Sequence, residues 1–194
     1  PKAANLGQLA HFFPKSVTPG LVVPFGIYYQ HMHRSIDGGP FLDEQIRQMH
    51  RQAEQMRDSN VPPANVNAQI YPELAKIRKQ IQTMPLLPEF EKELAARMQE
   101  IFGPDGSYGV FVRSDTNAED LPEFTGAGLN LTVPNRVGFR NIAQAVKDVW
   151  ASPFAERAWG WRSRILKSSE HVYPSVLLSR AVPSDKSGVI ATVN

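Results

Sequence analysis

Apolar positions recur along the chain with two periods, which divide it into helix-like and strand-like stretches. Leu6, Leu9, Ala10 and Phe13 fall on one helical face and predict a short helix over residues 3–13, closed by Pro14, Pro19 and Gly20. The run Leu21 to Tyr29 is β-prone and punctuated by Pro24 and Gly26. Gly38-Gly39-Pro40 predicts a turn. Ile46, Met49, Ala53 and Met56 recur at spacings of three and four and predict a polar amphipathic helix over residues 42–58, broken by Val61-Pro62-Pro63. Further helices are expected at about 72–83 and 88–102, jointed at Pro85 and Pro88 and stopped by Gly103-Pro104-Asp105-Gly106.

Tyr108 to Val112 is a compact apolar strand, of the kind buried on both faces. It delivers the chain to Arg113, after which a long polar, glycine-bearing loop is expected to about Pro134. Two helices follow over 139–151 and 153–167. Val176 to Leu178 and Val189 to Val193 read as two strands of a hairpin joined by the turn Pro183 to Lys186. Helices and strands are thus mixed, an α/β (α+β) pattern without internal repeat or low-complexity segment. The first residue is proline and the last eight read as a strand in progress, so the sequence is expected to be a fragment.

Composition narrows the chemistry. Of 194 residues, 42% are hydrophobic, enough for a core. The net charge of +2 is low for a nucleic-acid binder, which usually carries a dense basic stripe. The absence of cysteine removes disulfides, thiolate metal sites and thiol nucleophiles. It fits a cytoplasmic setting. No apolar run approaches the roughly 18–20 residues of a membrane span.

The strongest candidate for chemistry is the run Val112 to Gly128. A buried strand ends in Arg113, and hydroxyls, acids and glycines follow. An arginine fixed at a strand end presents a planar fork of donors to phosphate, and glycines let backbone N–H groups approach an anion closely. The plainer reading is a surface loop with Arg113 paired to Glu119 or Asp120. No Walker A pattern occurs. Lys2 stands just ahead of the first helix, where its charge and free helical N–H groups would both favour phosphate; the alternative is a frayed terminal lysine. His11, His31, His33, His50 and His171 show no ligand spacing and read as structural or surface residues, leaving no metal site. Trp150, Phe154, Trp159 and Trp161 lie among Arg157, Arg162 and Arg164 at helical spacing, which suggests core packing against arginine stems rather than base stacking.

These residues resemble a family. Val112 to Pro122 is similar to the V-R-S-S-x-x-x-E-D-L-P signature of phosphoenolpyruvate synthases, with related forms in pyruvate phosphate dikinases, glucan water dikinases and rifampin phosphotransferases; Ala127-Gly128 supplies the Ala-Gly pair that continues it. Lys2 to Gly7 resembles the family's G-K-x-x-N-L-g opening, and Val23 to Ile27 its V-P-P-G-F segment. Trp150 to Phe154 with Arg157-Ala158 and Arg162 resembles its W-A-S-x-[FY]…R-A…R helix pair, and Val182 to Asp185 with Ser187 to Val189 its V-x-S-D-x-S-G-V hairpin. Residues 1–36 and 103–194 carry the likeness, 37–102 are mainly helical, and 37–87 are unmatched.

The resemblance implies one ATP-grasp-like nucleotide-binding domain over 1–194, incomplete at its C-terminal end. It implies that Lys2 and Arg113 hold the phosphates of ATP, that Gly126, Gly128 and Thr132 lie in the loop covering them, and that backbone groups of Arg180, Ala181 and Val182 meet the adenine. Ser179 stands near the position where the family strand carries a glutamine. Mg²⁺ is expected in the complete domain, on acidic ligands outside this chain. The implied parent is an ATP-dependent phosphotransferase of dikinase or synthase type. It would pass phosphate through a histidine on another domain to pyruvate or a similar acceptor. Its partners would be ATP and the parent's phosphohistidine and acceptor-binding domains, with no nucleic acid and no membrane. The T-x-G-G-x-x-S-H type motif of the histidine domain is absent here, so the isolated chain is expected to be inactive or nearly so. The alternative is an inactive nucleotide-binding or interaction module derived from the same fold.

Overall fold

The architecture comes from a computed structural model that describes residues 2–36, 38–117, 120–121, 124–125, 131–165, 172–186 and 188. In chain order, α1 (Lys2–Phe12) leads to β1 (Gly20–Val23) and α2 (Phe25–Met32). Three longer helices follow: α3 (Leu42–Asp58), α4 (Pro63–Thr83) and α5 (Pro88–Phe102). Then come β2 (Gly109–Thr116), β3 (Asp120–Leu121), β4 (Phe124–Thr125) and β5 (Thr132–Val137). The helices α6 (Phe139–Ala151) and α7 (Glu156–Ile165), separated by a 3-10 turn at Ser152–Phe154, precede β6 (Pro174–Arg180).

Four strands form one antiparallel sheet in the order β1-β6-β2-β5, and β3 pairs with β4 in a small ribbon. The register sorts the side chains. Val112 stands opposite Leu178 and Val133, and Leu178 opposite Leu21. Directly opposed residues share a face, so Val23, Val110, Val112, Val133, Val176 and Leu178 line one side, all buried. Ile142, Val146, Val149 and Trp150 of α6 cover that side and belong to the same core. The other side carries Val22, Phe111, Arg113, Thr132, Leu177 and Ser179, of which Val22 and Thr132 are exposed.

Three elements depart from the sequence expectation. Phe25 to Tyr29 is helical rather than β-prone: Tyr28, His31 and Met32 share a buried stripe, and Pro24 enters the helix with φ −73°. Burial outweighs the weak strand propensity of a short aromatic run. Helix α4 starts at Pro63 rather than near 72, and Pro72 lies inside it. Val66, Ile70, Leu74, Ile77 and Ile81 form a continuous buried seam through that proline, and the packing tolerates the missing N–H. Strand β2 does not stop at Arg113 but runs on to Thr116. The helices at 42–58 and 88–102 have the expected bounds. The second strand of the expected hairpin, 189–193, lies outside the described residues.

A bulge re-aims β5 beside β2. The register shifts between Val110 and Val112, and Asn135 adopts a positive φ of 46°. Gly109 lies against it, where a Cβ would run into the Asn135 side chain.

Candidate functional site

The second side of the sheet carries two of the residues the sequence singles out, Arg113 and Thr132. Arg113 sits mid-strand in β2, opposite Leu177 of β6 and Thr132 of β5. Its Nε is buried and has no hydrogen-bond partner. Among the described residues no carboxylate pairs with it, and the Glu119 and Asp120 side chains of the plainer reading lie outside them. A buried, unsatisfied cationic donor is costly, and its guanidinium can donate to an anion. Thr132 is exposed beside it.

The fold brings Lys2 to the same strand. Asp115 Oδ1 accepts the Lys2 backbone N–H at 2.6 Å, and Oδ2 accepts the Ala3 N–H at 3.2 Å. These partners are 113 and 112 positions apart in sequence. The carboxylate caps the N-terminus of α1 from a neighbouring strand, satisfying two of the helix's orphan donors. Asp115 is buried, and its main-chain carbonyl accepts the Ser175 hydroxyl at 2.7 Å. The Lys2 Nζ donates to the Ser114 carbonyl at 3.5 Å. Lys2 is therefore docked against β2 at Asp115, two residues along the strand from Arg113. One expectation changes: the first N–H groups of α1 are not free for phosphate, because Asp115 takes them. Sequence reasoning missed Asp115; its only signal was a second charge two positions after Arg113, on the same strand face.

At the other end, Arg180 pairs with Val110. The Arg180 N–H donates to the Pro19 carbonyl at 3.2 Å and the Ala181 N–H to the Gly109 carbonyl at 2.8 Å. These two N–H groups are engaged within the fold, whereas Val182 is exposed. Three residues of strand separate Val110 from Arg113, roughly 10 Å. Gly126 and Gly128 lie outside the described residues. Among the described residues, no group of three or more His, Asp or Glu could hold a metal ion, and no helix is long and apolar enough to cross a membrane.

On the covered side, His31 is a structural residue of the core. His31 is fully buried, with Nδ1 2.7 Å from the Ile27 carbonyl and Nε2 accepting the Leu87 N–H at 3.0 Å. Burial pushes its pKa below the usual 6.5. Trp150, Phe154 and Trp159 are buried as expected, whereas Trp161 is exposed. The Arg57 guanidinium lies 5.6 Å from the Trp159 ring centroid.

A mixed helical and antiparallel domain, with α6 on one side of its sheet and Arg113 and Asp115 on the other, is the class these features define. The sequence matches the family described as "Pyruvate phosphate dikinase, AMP/ATP-binding domain" over residues 1–194, and the chain belongs to that family. It is 35% identical over 129 residues to a probable phosphoenolpyruvate synthase of Pyrococcus abyssi, covering 65% of this chain and 16% of that protein. It is 29% identical over 194 residues to a rifampicin phosphotransferase of a Streptomyces species, covering 100% of this chain and 20% of that protein. A probable phosphoenolpyruvate synthase of Methanothermobacter thermautotrophicus is 30% identical over 203 residues, covering 100% of this chain and 26% of that protein. The matched part of the chain thus spans 16–26% of the length of these relatives.

Proposed function

We propose that the chain is the nucleotide-binding part of an ATP-dependent phosphotransferase, built as one ATP-grasp-like domain over residues 1–194. The observation that carries this reading is the buried, unpartnered Arg113 Nε on the second side of the sheet, with Lys2 docked two residues along the strand through Asp115. The triphosphate meets Arg113 and Lys2. Residues Gly126, Gly128 and Thr132 cover it. The adenine lies toward Arg180, Ala181 and Val182, with the roughly 10 Å of strand between Val110 and Arg113 as the span from base to phosphates.

In this role the chain's own residues position and neutralise. Arg113 offers a fork of donors to phosphoryl oxygens, and Lys2 adds a point charge. Phosphoryl transfer depends on such positioning and charge stabilisation rather than on a protein nucleophile at this site. Mg²⁺, when bound, would neutralise negative charge on the phosphates. The described residues do not offer a set of ligands for it, and no step here runs through the metal. The phosphate would pass to a histidine on another domain of the parent and then to pyruvate or a similar acceptor, in a cytoplasmic protein. The names of the relatives support the phosphotransferase class. Calorimetric titration with adenosine, AMP, ADP and ATP tests the orientation. Affinity rising with each added phosphate supports it, and equal affinity for adenosine and ATP contradicts it.

A further inference from the structure

A cavity lies among the helices on the covered side of the sheet. Its volume is about 160 Å³, and its wall includes Tyr28 and Met32 of α2, Asp43 and Ile46 of α3, and Arg162 of α7. Two of its lining residues, Arg162 and Asp43, each hold one buried polar atom without a partner. Arg162 is only 5% exposed, forms no ion pair among the described residues, and makes one hydrogen bond, from Nη2 to the Pro153 carbonyl. Its Nε is buried without a partner. Asp43 is also buried. Its Oδ2 is engaged by Arg47 Nη1 and His33 Nδ1, both at 3.1 Å, but Oδ1 is buried and has no partner.

A buried guanidinium without a counter-ion is among the most expensive arrangements a fold can hold. Burial lowers the Arg162 pKa to about 10, so it stays charged at neutral pH. Burial pushes the Tyr28 phenol up, so it stays a neutral donor. The other ionisable side chains lining the space are Arg47, Asp43 and the buried His50, which has interactions of its own. Since Arg47 offsets Asp43, the uncompensated charge is the single one on Arg162. A monoanion matches it, and a phosphate dianion does not. The volume lies below the roughly 300–1,000 Å³ of pockets for drug-sized ligands, which excludes a nucleotide.

We propose that this cavity binds a small monocarboxylate bearing a hydrogen-bond donor, its carboxylate on Arg162 and its donor on Asp43 Oδ1. An arginine fork matches a carboxylate in geometry as well as charge. The site lies across the sheet from Arg113 and does not depend on the nucleotide reading.

Thermal melting of the protein with lactate, against chloride at equal ionic strength, tests this. A ligand that binds only the folded state raises the melting temperature in a saturable way. Lactate is expected to do so, and acetate, which lacks the donor, less. Arg162→Met and Ile46→Phe, the second filling the cavity with the arginine intact, should both lose the response. Arg113→Ala should keep it. If Arg162→Met does not fold, Ile46→Phe decides: loss of the response supports the site and retention overturns it. No saturable rise with lactate in the unaltered protein, or a rise with inorganic phosphate in its place, also overturns the proposal.

Discussion

Replacing Asp115 by alanine should release the first helix while leaving the rest of the domain folded. None of the residues of α1 is fully buried, so the helix has little apolar packing to hold it. Its N-terminus instead donates two N–H groups to the Asp115 carboxylate, at 2.6 and 3.2 Å. Hydrogen bonds to a charged group contribute about 1.5–3 kcal/mol each, but water can replace part of this at a helix end. Loss of a helix cap costs about 0.5–2 kcal/mol. A local cost of about 2 kcal/mol follows, close to a 30-fold change in the docking equilibrium. Hydrogen exchange read by mass spectrometry on the segment Lys2–Phe12 reports it directly. Exchange there should accelerate about 30-fold in Asp115→Ala and by less in Asp115→Asn, which keeps one carbonyl acceptor. The amides of α6 should be unaffected. Unchanged exchange over Lys2–Phe12 would refute the reasoning, because Lys2 would then be held in place by something other than this carboxylate.

Two further substitutions probe the covered side. His31 is neutral in the fold and its pKa is depressed, so its contribution to stability is complete above its unfolded value of 6.5 and is lost as pH falls through the folded value. Melting temperature between pH 5 and 8 should therefore fall toward acid, with a shallower slope in His31→Gln; an identical slope argues against the assignment. Pro72→Ala restores an N–H inside α4 and should raise stability by about 1–2 kcal/mol, measured by urea unfolding, whereas a loss would mean that the proline shapes the helix usefully.

The parts of the fold that were legible in sequence are those where periodicity and breakers agree. Helix α3 repeats Ile46, Met49 and Ala53 between Pro40 and Pro62-Pro63, and its bounds follow directly. Where signals conflict, packing decides. Pro72 masked the first half of α4, although Val66 and Ile70 continue its seam. In α2 the aromatics Phe25, Tyr28 and Tyr29 carry strand propensity, and only the tertiary burial of Tyr28 and Met32 makes them helical. The site shows the same division. The place of Arg113 on a strand was readable from the apolar run before it, but the Asp115 cap on Lys2 is a contact across the whole domain and has no local pattern. The unpaired Arg162 was hidden for the opposite reason, since its helical spacing with the tryptophans matches ordinary core packing.

The central claim is that Arg113 receives the phosphates of ATP. Calorimetric titration of ATP and of adenosine into the protein and into Arg113→Ala tests it most directly. Loss of a charge-assisted contact should weaken ATP by more than about 1.5 kcal/mol, over tenfold, and leave adenosine unchanged. Equal ATP affinity in the two proteins, with both folded, would contradict the account.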